Sequence, residues 1–294
     1  MATQTSKLTA SDILVTTRPF RWIVTVAPFV VGYFATHGFE LGWPLYVGVL
    51  YFAIGYNLLL YGLNNIFAHE PDAHKPRVGG LGAVALARSK HRALWAAIVA
   101  LNVPFLLYFI VVGQANATVW LLGMLFMAAA YSVPGLRYKE VPGLDTFTSA
   151  FQYTSPFIFG VLLMGGDNFW VPAYLTFFIW AMANYTLGAI QDITPDRDAK
   201  VDSVATKLGA ENALLVCLGS YLVAAVLPVV YYGWKGVFAA VVLCWYVALC
   251  LSLVPFRQRD EHHNFRKAWR VLTIMNYVTG TLISLYLLLL HHWA

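Results

Sequence analysis

Residues 44–77 read PLYVGVLYFAIGYNLLLYGLNNIFAHEPDAHKPR, an apolar run that passes directly into a polar cluster. The apolar part matches the roughly 20 residues that an α-helix needs to cross a lipid bilayer. In the polar part Asn64, Ala68 and Asp72 follow one another four residues apart. On a helix that spacing places the three positions on one face. We therefore expect a membrane-spanning helix over residues 44–66 that ends in a polar site.

The rest of the chain repeats this apolar character. Hydrophobic residues make up 60% of the sequence and charged residues only 11%, and the mean hydropathy is +0.65. Such a composition is typical of integral membrane proteins and exceeds what a soluble domain of this length needs. We predict an all-α membrane protein with nine spans, at residues 20–37, 44–66, 92–113, 117–133, 145–165, 170–190, 212–233, 236–255 and 268–291.

Basic residues predict the orientation of these spans. Of the 19 lysines and arginines, all except Lys235 lie in the N-terminal segment, in the longer connections or at the helix ends that flank them. Since cytoplasmic loops carry the excess of Lys and Arg, we expect the N-terminus and the longer connections to be cytoplasmic in a multi-pass protein of the cell membrane. The net charge of +5 then reflects topology and anionic lipid and requires no nucleic-acid partner.

Two further polar clusters follow apolar segments on the same predicted side. YSVPGLRYKEVP, residues 131–142, carries Arg137 and Lys139, and QDITPDRDAK, residues 191–200, carries Asp192 and Asp196 four residues apart. Carboxylate and amide oxygens are the ligands that Mg²⁺ prefers, commonly while it bridges substrate phosphates. Arg and Lys supply the complementary phosphate contacts. The three clusters together indicate one shared site for Mg²⁺ and a diphosphate.

The order of these motifs resembles a known family. The patterns are YG-x-N-N at residues 61–65, YS-x-P-x-x-R-x-K at 131–139 and D-xxx-D-R-x-A at 192–199, with ATKLGA downstream. They resemble the UbiA-type intramembrane prenyltransferases over nearly the whole chain. Within that superfamily the stretches TRPFRW (17–22), LYGLNNIF (60–67) and GAIQDITPDRDA (188–199) are most similar to the lycopene elongases. The resemblance implies one UbiA-like domain over residues 1–294 with a nine-helix bundle.

The resemblance also implies roles for individual residues. Prenyl transfer in this family starts by Mg²⁺-assisted ionisation of an allylic diphosphate. The implied catalytic residues are Asn64, Asn65, Asp72, Asp192 and Asp196, of which all except Asn65 are the implied Mg²⁺ ligands. The implied diphosphate-binding residues are Lys75, Arg77, Arg137, Lys139 and Arg197. Tyr61 and Tyr131 are candidates for stabilising the allylic cation or contacting substrate.

The implied donor is dimethylallyl diphosphate (DMAPP), and the implied acceptor is lycopene or a related polyene held in the bilayer. Transfer of a C5 prenyl group to the ends of lycopene would give a C50 carotenoid. A carotenoid cyclase is a candidate partner. The alternative enzymatic hypothesis is transfer to an aromatic acceptor, as in quinone biosynthesis. The alternative hypothesis outside the enzymes is a transporter or a non-catalytic subunit of a pigment complex.

The first motif departs from the family pattern. It reads NNxxAxxxD where NDxxDxxxD is expected, with Asn65 and Ala68 replacing two aspartates. Asn65 retains a neutral oxygen, but Ala68 offers no ligand, so two formal negative charges are lost. Either the chain is an inactivated form or it is a natural variant in which Glu70 and Asp72 suffice. Asp72, Asp192 and Asp196 are all retained.

Overall fold

The computed structural model describes residues 7–67, 86–166, 168–198, 200–256 and 262–291, and these parts of the chain are helical without a β-strand. We number the helices α1 to α12 in chain order: Ala10–Thr16, Trp22–His37, Trp43–Leu50, Tyr56–Ile66, His91–Val112, Ala115–Ser132, Leu144–Leu163, Val171–Ile190, Ile193–Asp198, Val204–Tyr232, Val237–Leu253 and His262–His291. The prediction of an all-α fold is confirmed.

Seven stretches within the described ranges are long and apolar enough to cross a membrane. They are Ala10–His37, Trp43–Ile66, Arg88–Val112, Ala115–Ser132, Val171–Ile190, Val204–Phe256 and Asn264–Leu289. The stretch Val204–Phe256 contains two helices, α10 and α11, joined by the short turn Gly233–Gly236. The protein is therefore a multi-pass membrane protein, and the count of nine spans stays a prediction.

Helix α7 is not among the seven stretches, because it is too polar to qualify by hydropathy. It coincides with the predicted span at residues 145–165. Its polar side chains are buried inside the protein: Asp145, Thr146, Thr148, Ser149, Gln152, Thr154 and Ser155. A helix that is surrounded by protein need not be apolar on every face, since its polar groups meet partners there and not lipid.

The chain divides into two compact units, and one of the boundaries between them, after Thr154, lies within α7. The first unit combines Met1–Arg137 with Ser155–Gly166. The second combines Tyr138–Thr154 with Asp167–Ala294. The single domain expected over residues 1–294 stays a prediction.

Close packing between α2 and the end of α7 organises the first unit. A Cβ atom on Gly32 would lie 2.0 Å from the Phe157 carbonyl oxygen, and one on Gly160 would lie 2.4 Å from the Phe29 carbonyl oxygen. The two helices therefore approach so closely that only glycine fits at either position. Small residues promote this kind of association in membranes, where lipid provides no hydrophobic driving force between helices.

A π-helical segment, Tyr51–Gly55, joins α3 to α4 within one continuous stretch. Side chains from three helices donate hydrogen bonds to its carbonyl oxygens. Thr25 Oγ1 and Asn57 Nδ2 donate to the Phe52 carbonyl, at 3.0 and 2.6 Å, and Asn102 Nδ2 donates to the Gly55 carbonyl at 3.0 Å. These amides and the hydroxyl satisfy backbone groups that the irregular turn frees inside the membrane.

The second unit is built around the long helix α10, which packs between α8 and α11. Its core contains buried Cys217, Tyr221, Tyr246 and Cys250, with the rings of Tyr221 and Tyr246 stacked at a centroid distance of 5.1 Å. Tyr246 donates a hydrogen bond to Asn276 Oδ1 on α12 at 2.9 Å. The cysteines thus behave as small buried side chains, apart from exposed Cys244.

Candidate functional site

The first polar cluster lies at the C-terminal end of α4. Asn64 and Asn65 are half-buried in its last turn. Asn65 Nδ2 donates to the Tyr61 carbonyl at 3.1 Å, and Asn65 Oδ1 accepts from the Leu86 backbone N–H at 3.4 Å. Asn65 therefore ties the end of α4 to the returning chain. The other predicted site residues of this cluster, Asp72, Lys75 and Arg77, lie outside the described residues, as does Ala68.

Tyr61 is buried one turn before the two asparagines. The guanidinium carbon of Arg18 lies 4.2 Å from the centroid of its ring. Arg18 itself has a left-handed backbone, with φ 52°, a conformation that costs a non-glycine residue roughly 1 kcal/mol or more. One face of Tyr61 is thus engaged by a cation of the protein, which the sequence pattern alone did not indicate.

The second cluster begins at the end of α6. Tyr131 is half-buried in the last turn, and Ser132 next to it is fully buried. Arg137 also has a left-handed backbone, with φ 40°, and its Nη1 donates to the Phe67 carbonyl at 3.3 Å. This contact brings Arg137 to the C-terminal end of α4. Lys139, which belongs to the second unit, is half-buried in the turn Tyr138–Glu140.

The acidic cluster of the second unit lies where α8 ends and the short helix α9 begins, with Asp192 just before α9 and Asp196 inside it; we call residues 191–196 the acidic turn. Asp192 is half-buried and Asp196 is 6% exposed, and the Asp196 N–H donates to the Asp192 carbonyl at 2.9 Å. Arg197 is exposed. The neighbouring Gln191 is 3% exposed, and its Oε1 has no hydrogen-bond partner among the described residues.

This turn suits a divalent cation by the chemistry of its donors. Within the described ranges, no three His, Cys, Asp or Glu side chains come together as a complete metal site. The turn nevertheless holds buried oxygens, the Asp196 carboxylate and the Gln191 amide. A buried carboxylate and an orphaned amide oxygen are stabilised by a cation, and both are hard oxygen ligands of the kind that Mg²⁺ takes.

Asp145, at the start of α7, is a buried charge that the sequence analysis did not single out. Its side chain is 0% exposed and accepts hydrogen bonds from the backbone N–H groups of Gly143 and Val204. Its only sequence signal is its place, three residues after Pro142 at the start of an apolar segment, and many surface caps share that signal. Its long-range partner could not be read from the sequence.

Comparison with known proteins assigns the chain to a family. The model of the UbiA prenyltransferase family matches residues 25–290. A lycopene elongase/hydratase from Corynebacterium glutamicum is 34% identical over 95% of this chain and 97% of its own length. The C(50) beta-cyclic carotenoids biosynthesis protein LbtBC from Dietzia sp. is 36% identical over 91% of this chain, which spans only 62% of that relative.

A solved structure shares the fold. The UbiA homolog from Archaeoglobus fulgidus bound to DMAPP and Mg²⁺ superposes with a TM-score of 0.67 at 18% identity, covering 92% of this chain and 99% of the homolog.

The family match over residues 25–290, in a chain with several membrane-spanning helices, defines an intramembrane transferase. The chain belongs to the UbiA prenyltransferase family. It is therefore a prenyltransferase, as the resemblance predicted.

Proposed function

We propose that this protein transfers the C5 prenyl group of DMAPP to the ends of lycopene. Relatives named for lycopene elongation and C50 carotenoid biosynthesis, at 34% and 36% identity, support the acceptor. The A. fulgidus homolog bound to DMAPP supports the donor class. The structural observation that carries the proposal is the buried Asp196 carboxylate in a turn that also presents Asp192.

In the proposed mechanism Asp192 and Asp196 would hold Mg²⁺, a role that the resemblance also gives to Asn64 and Asp72 of the first cluster. When bound, Mg²⁺ neutralises charge on the departing diphosphate. Arg137, Lys139 and Arg197, with Lys75 and Arg77, bind the diphosphate oxygens and stabilise the charge that develops on them. Asn65 serves the same reaction by fixing the end of α4, as its bonds to Tyr61 and Leu86 suggest.

Ionisation of the carbon–oxygen bond gives an allylic cation and free diphosphate. The terminal double bond of lycopene attacks this cation and leaves a tertiary cation, which then loses a proton or captures water. Tyr131 and Tyr61 shield the allylic cation from water. We place these steps at the cytoplasmic side of the membrane, because we expect nearly all lysines and arginines on that side. A carotenoid cyclase would then act on the product.

A product assay tests the function. Membranes that contain the protein are incubated with labelled DMAPP, lycopene and Mg²⁺, beside membranes without the protein and beside the variant Asn65→Asp with Ala68→Asp. We expect a labelled C50 carotenoid that requires both the protein and Mg²⁺. Product from the double variant alone would identify the present sequence as an inactivated form. A labelled quinone precursor without C50 product would show that the acceptor is an aromatic ring and not lycopene.

A further inference from the structure

The proposed mechanism leaves one fully buried carboxylate of the second unit without a role. Asp145 Oδ1 accepts hydrogen bonds from Gly143 N at 2.8 Å and from Thr146 Oγ1 at 3.4 Å, and Oδ2 accepts from Val204 N at 2.9 Å. Burying a carboxylate is unfavourable unless hydrogen bonds replace its hydration. Because this carboxylate meets donors from two separate segments, it fixes those segments relative to each other.

Each of the two segments adjoins a candidate site cluster. Gly143 is the last residue of the connection that carries Lys139, and Val204 directly follows residues 191–203, which carry Asp192 and Asp196. Val204 is the first residue of α10, whose N-cap is already provided by Ser203 through a reciprocal capping box with Thr206. The bond to Asp145 is therefore more than a local cap. It joins the start of α10 to the start of α7, 59 residues away in the sequence.

Backbone hydrogen bonds connect the start of α10 with the acidic turn. The Val201 N–H donates to the Asp196 carbonyl at 2.8 Å, and the Lys200 N–H donates to the Arg197 carbonyl at 3.0 Å. These two bonds form a Schellman motif that ends α9, with Lys200 at the left-handed position, φ 54°. Ser203 then starts α10 in an extended conformation. The end of α9 at Asp198 and the start of α10 at Val204 are thus separated by only a few residues, and hydrogen bonds hold both ends.

We propose that Asp145 is a positioning residue that holds the Asp192–Asp196 turn in the geometry needed to bind the cation and the donor diphosphate. This proposal rests on the proposed function, since it assumes that the turn binds Mg²⁺ and DMAPP. Asp145 touches neither ligand in this account. It acts through Val204 and the Lys200–Ser203 segment on the backbone of Asp196.

Two substitutions break the link in different ways. Asp145→Asn keeps the size of the side chain but replaces one acceptor oxygen by an NH₂ group that faces an N–H donor. Val204→Pro removes the Val204 N–H, which donates to Oδ2, at the first position of a helix, where proline is favoured. The preceding Ser203, with φ −140° and ψ 167°, already has the extended backbone that a residue before proline adopts.

Ala10→Pro is the matched control for the proline variant. Ala10 is also the first residue of a helix, and its N-cap, Thr9, is likewise extended with φ −103° and ψ 161°. The control therefore introduces the same residue in the same local setting, in a helix of the first unit. Thermal unfolding of each variant in detergent identifies any variant that has lost its overall fold.

The readouts are the Mg²⁺ concentration at half-maximal rate, the KM values for DMAPP and for lycopene, and DMAPP binding in the presence of Mg²⁺ without turnover. For Asp145→Asn and Val204→Pro we expect the Mg²⁺ requirement and the DMAPP KM and Kd to rise about tenfold or more, as for other residues that orient metal ligands. The lycopene KM should stay within about twofold, and the double variant should be no worse than the poorer single one.

Hydrogen exchange gives a test that needs no substrate. The peptide covering residues 196–208 should exchange faster in Asp145→Asn than in the unchanged protein. Folded variants with unchanged Mg²⁺ and DMAPP dependence would overturn the proposal, as would equal losses for both substrates with normal exchange. An unchanged protein that binds no DMAPP with Mg²⁺ would instead refute the proposed function on which the proposal rests.

Discussion

Asp192 and Asp196 lie one helical turn apart but differ in exposure, since Asp192 is half-buried and Asp196 is 6% exposed. Burial makes the Asp196 charge expensive without a cation nearby. Arg197, the next residue, is exposed, so water screens its charge. The buried aspartate is therefore the residue at which loss of charge should matter most.

The first prediction follows at this scale. Asp196→Asn and Asp192→Asn should each lower kcat/KM for DMAPP by about 100-fold or more, because loss of a Mg²⁺ ligand removes several kcal/mol of transition-state stabilisation. Asp202→Asn is the matched control, since Asp202 is an exposed carboxylate on the same connection. Steady-state rates with labelled DMAPP provide the measurement. An equal loss in all three variants would point to a general effect of charge.

At the scale of elements, the π-helical segment accepts hydrogen bonds from side chains of α2 and α5 and from Asn57 of the adjoining helix α4. Asn57 is fully buried, and its Nδ2 lies within hydrogen-bond distance of the Phe52 carbonyl and of Thr25 Oγ1. Without these donors the carbonyl groups freed by the wide turn would face an apolar interior. The segment lies directly before α4, which ends in Asn64 and Asn65, so its geometry sets the rotation of that helix.

Asn57→Leu should therefore destabilise the protein by about 1–3 kcal/mol, because the buried Phe52 carbonyl loses one of its two side-chain donors and Thr25 Oγ1 loses the donor that it accepts from. Unfolding by SDS in mixed micelles measures the change. Asn212→Leu is the control, because Asn212 also donates to a carbonyl four residues earlier, the Leu208 carbonyl, but in an exposed position. A destabilisation equal to that of the control would remove Asn57 as a support of the π-helical segment.

The glycine contacts between α2 and α7 give a second prediction for an element. Gly32→Ala should destabilise the first unit by about 1–3 kcal/mol, because its Cβ would meet the backbone of Phe157 and the helices would have to move apart. Gly219→Ala on α10 should be neutral or slightly stabilising, since nothing lies within 4 Å of that Cβ position. Thermal unfolding of both variants tests the difference, and equal melting temperatures would contradict the close approach.

For the whole molecule, the concentration of Lys and Arg on one side predicts the orientation in the membrane. A green fluorescent protein fused after Lys139 should fluoresce, because that connection is expected in the cytoplasm. An alkaline phosphatase fused after Lys235 should be active, because that turn is expected on the opposite side. Exchanging the two reporters is the control. Activity of the phosphatase at Lys139 would reverse the assigned orientation.

Much of this architecture could be predicted from the sequence because hydropathy dominates membrane insertion. The expected spans at residues 44–66, 117–133 and 170–190 agree closely with helices ending at Ile66, Ser132 and Ile190. The motifs also identified the family. The pattern could not show the short helix α1, nor that α10 already starts at Val204 and bends at Gly209, where φ is 74°.

The remaining features depend on contacts between distant segments. Three of these contacts join residues that are far apart in the chain. They are the hydrogen bond from Val204 to Asp145, the contact of Arg18 with the ring of Tyr61, and the hydrogen bond from Asn102 to the π-helical segment. Single-sequence patterns report local periodicity and carry no signal for such pairs. The sequence indicated that the side-chain oxygen of Asn65 is available as a ligand, whereas in the structure this oxygen accepts a hydrogen bond from the Leu86 N–H.

The most direct test of the account is the binding of DMAPP to the purified protein in lipid nanodiscs, titrated with and without Mg²⁺. The account predicts binding that requires Mg²⁺ and that is lost in the variant carrying both Asp192→Asn and Asp196→Asn, while Asp202→Asn binds normally. DMAPP binding that is equally tight without Mg²⁺, or that persists in the double variant, would contradict the claim that this acidic turn holds the cation and the donor diphosphate.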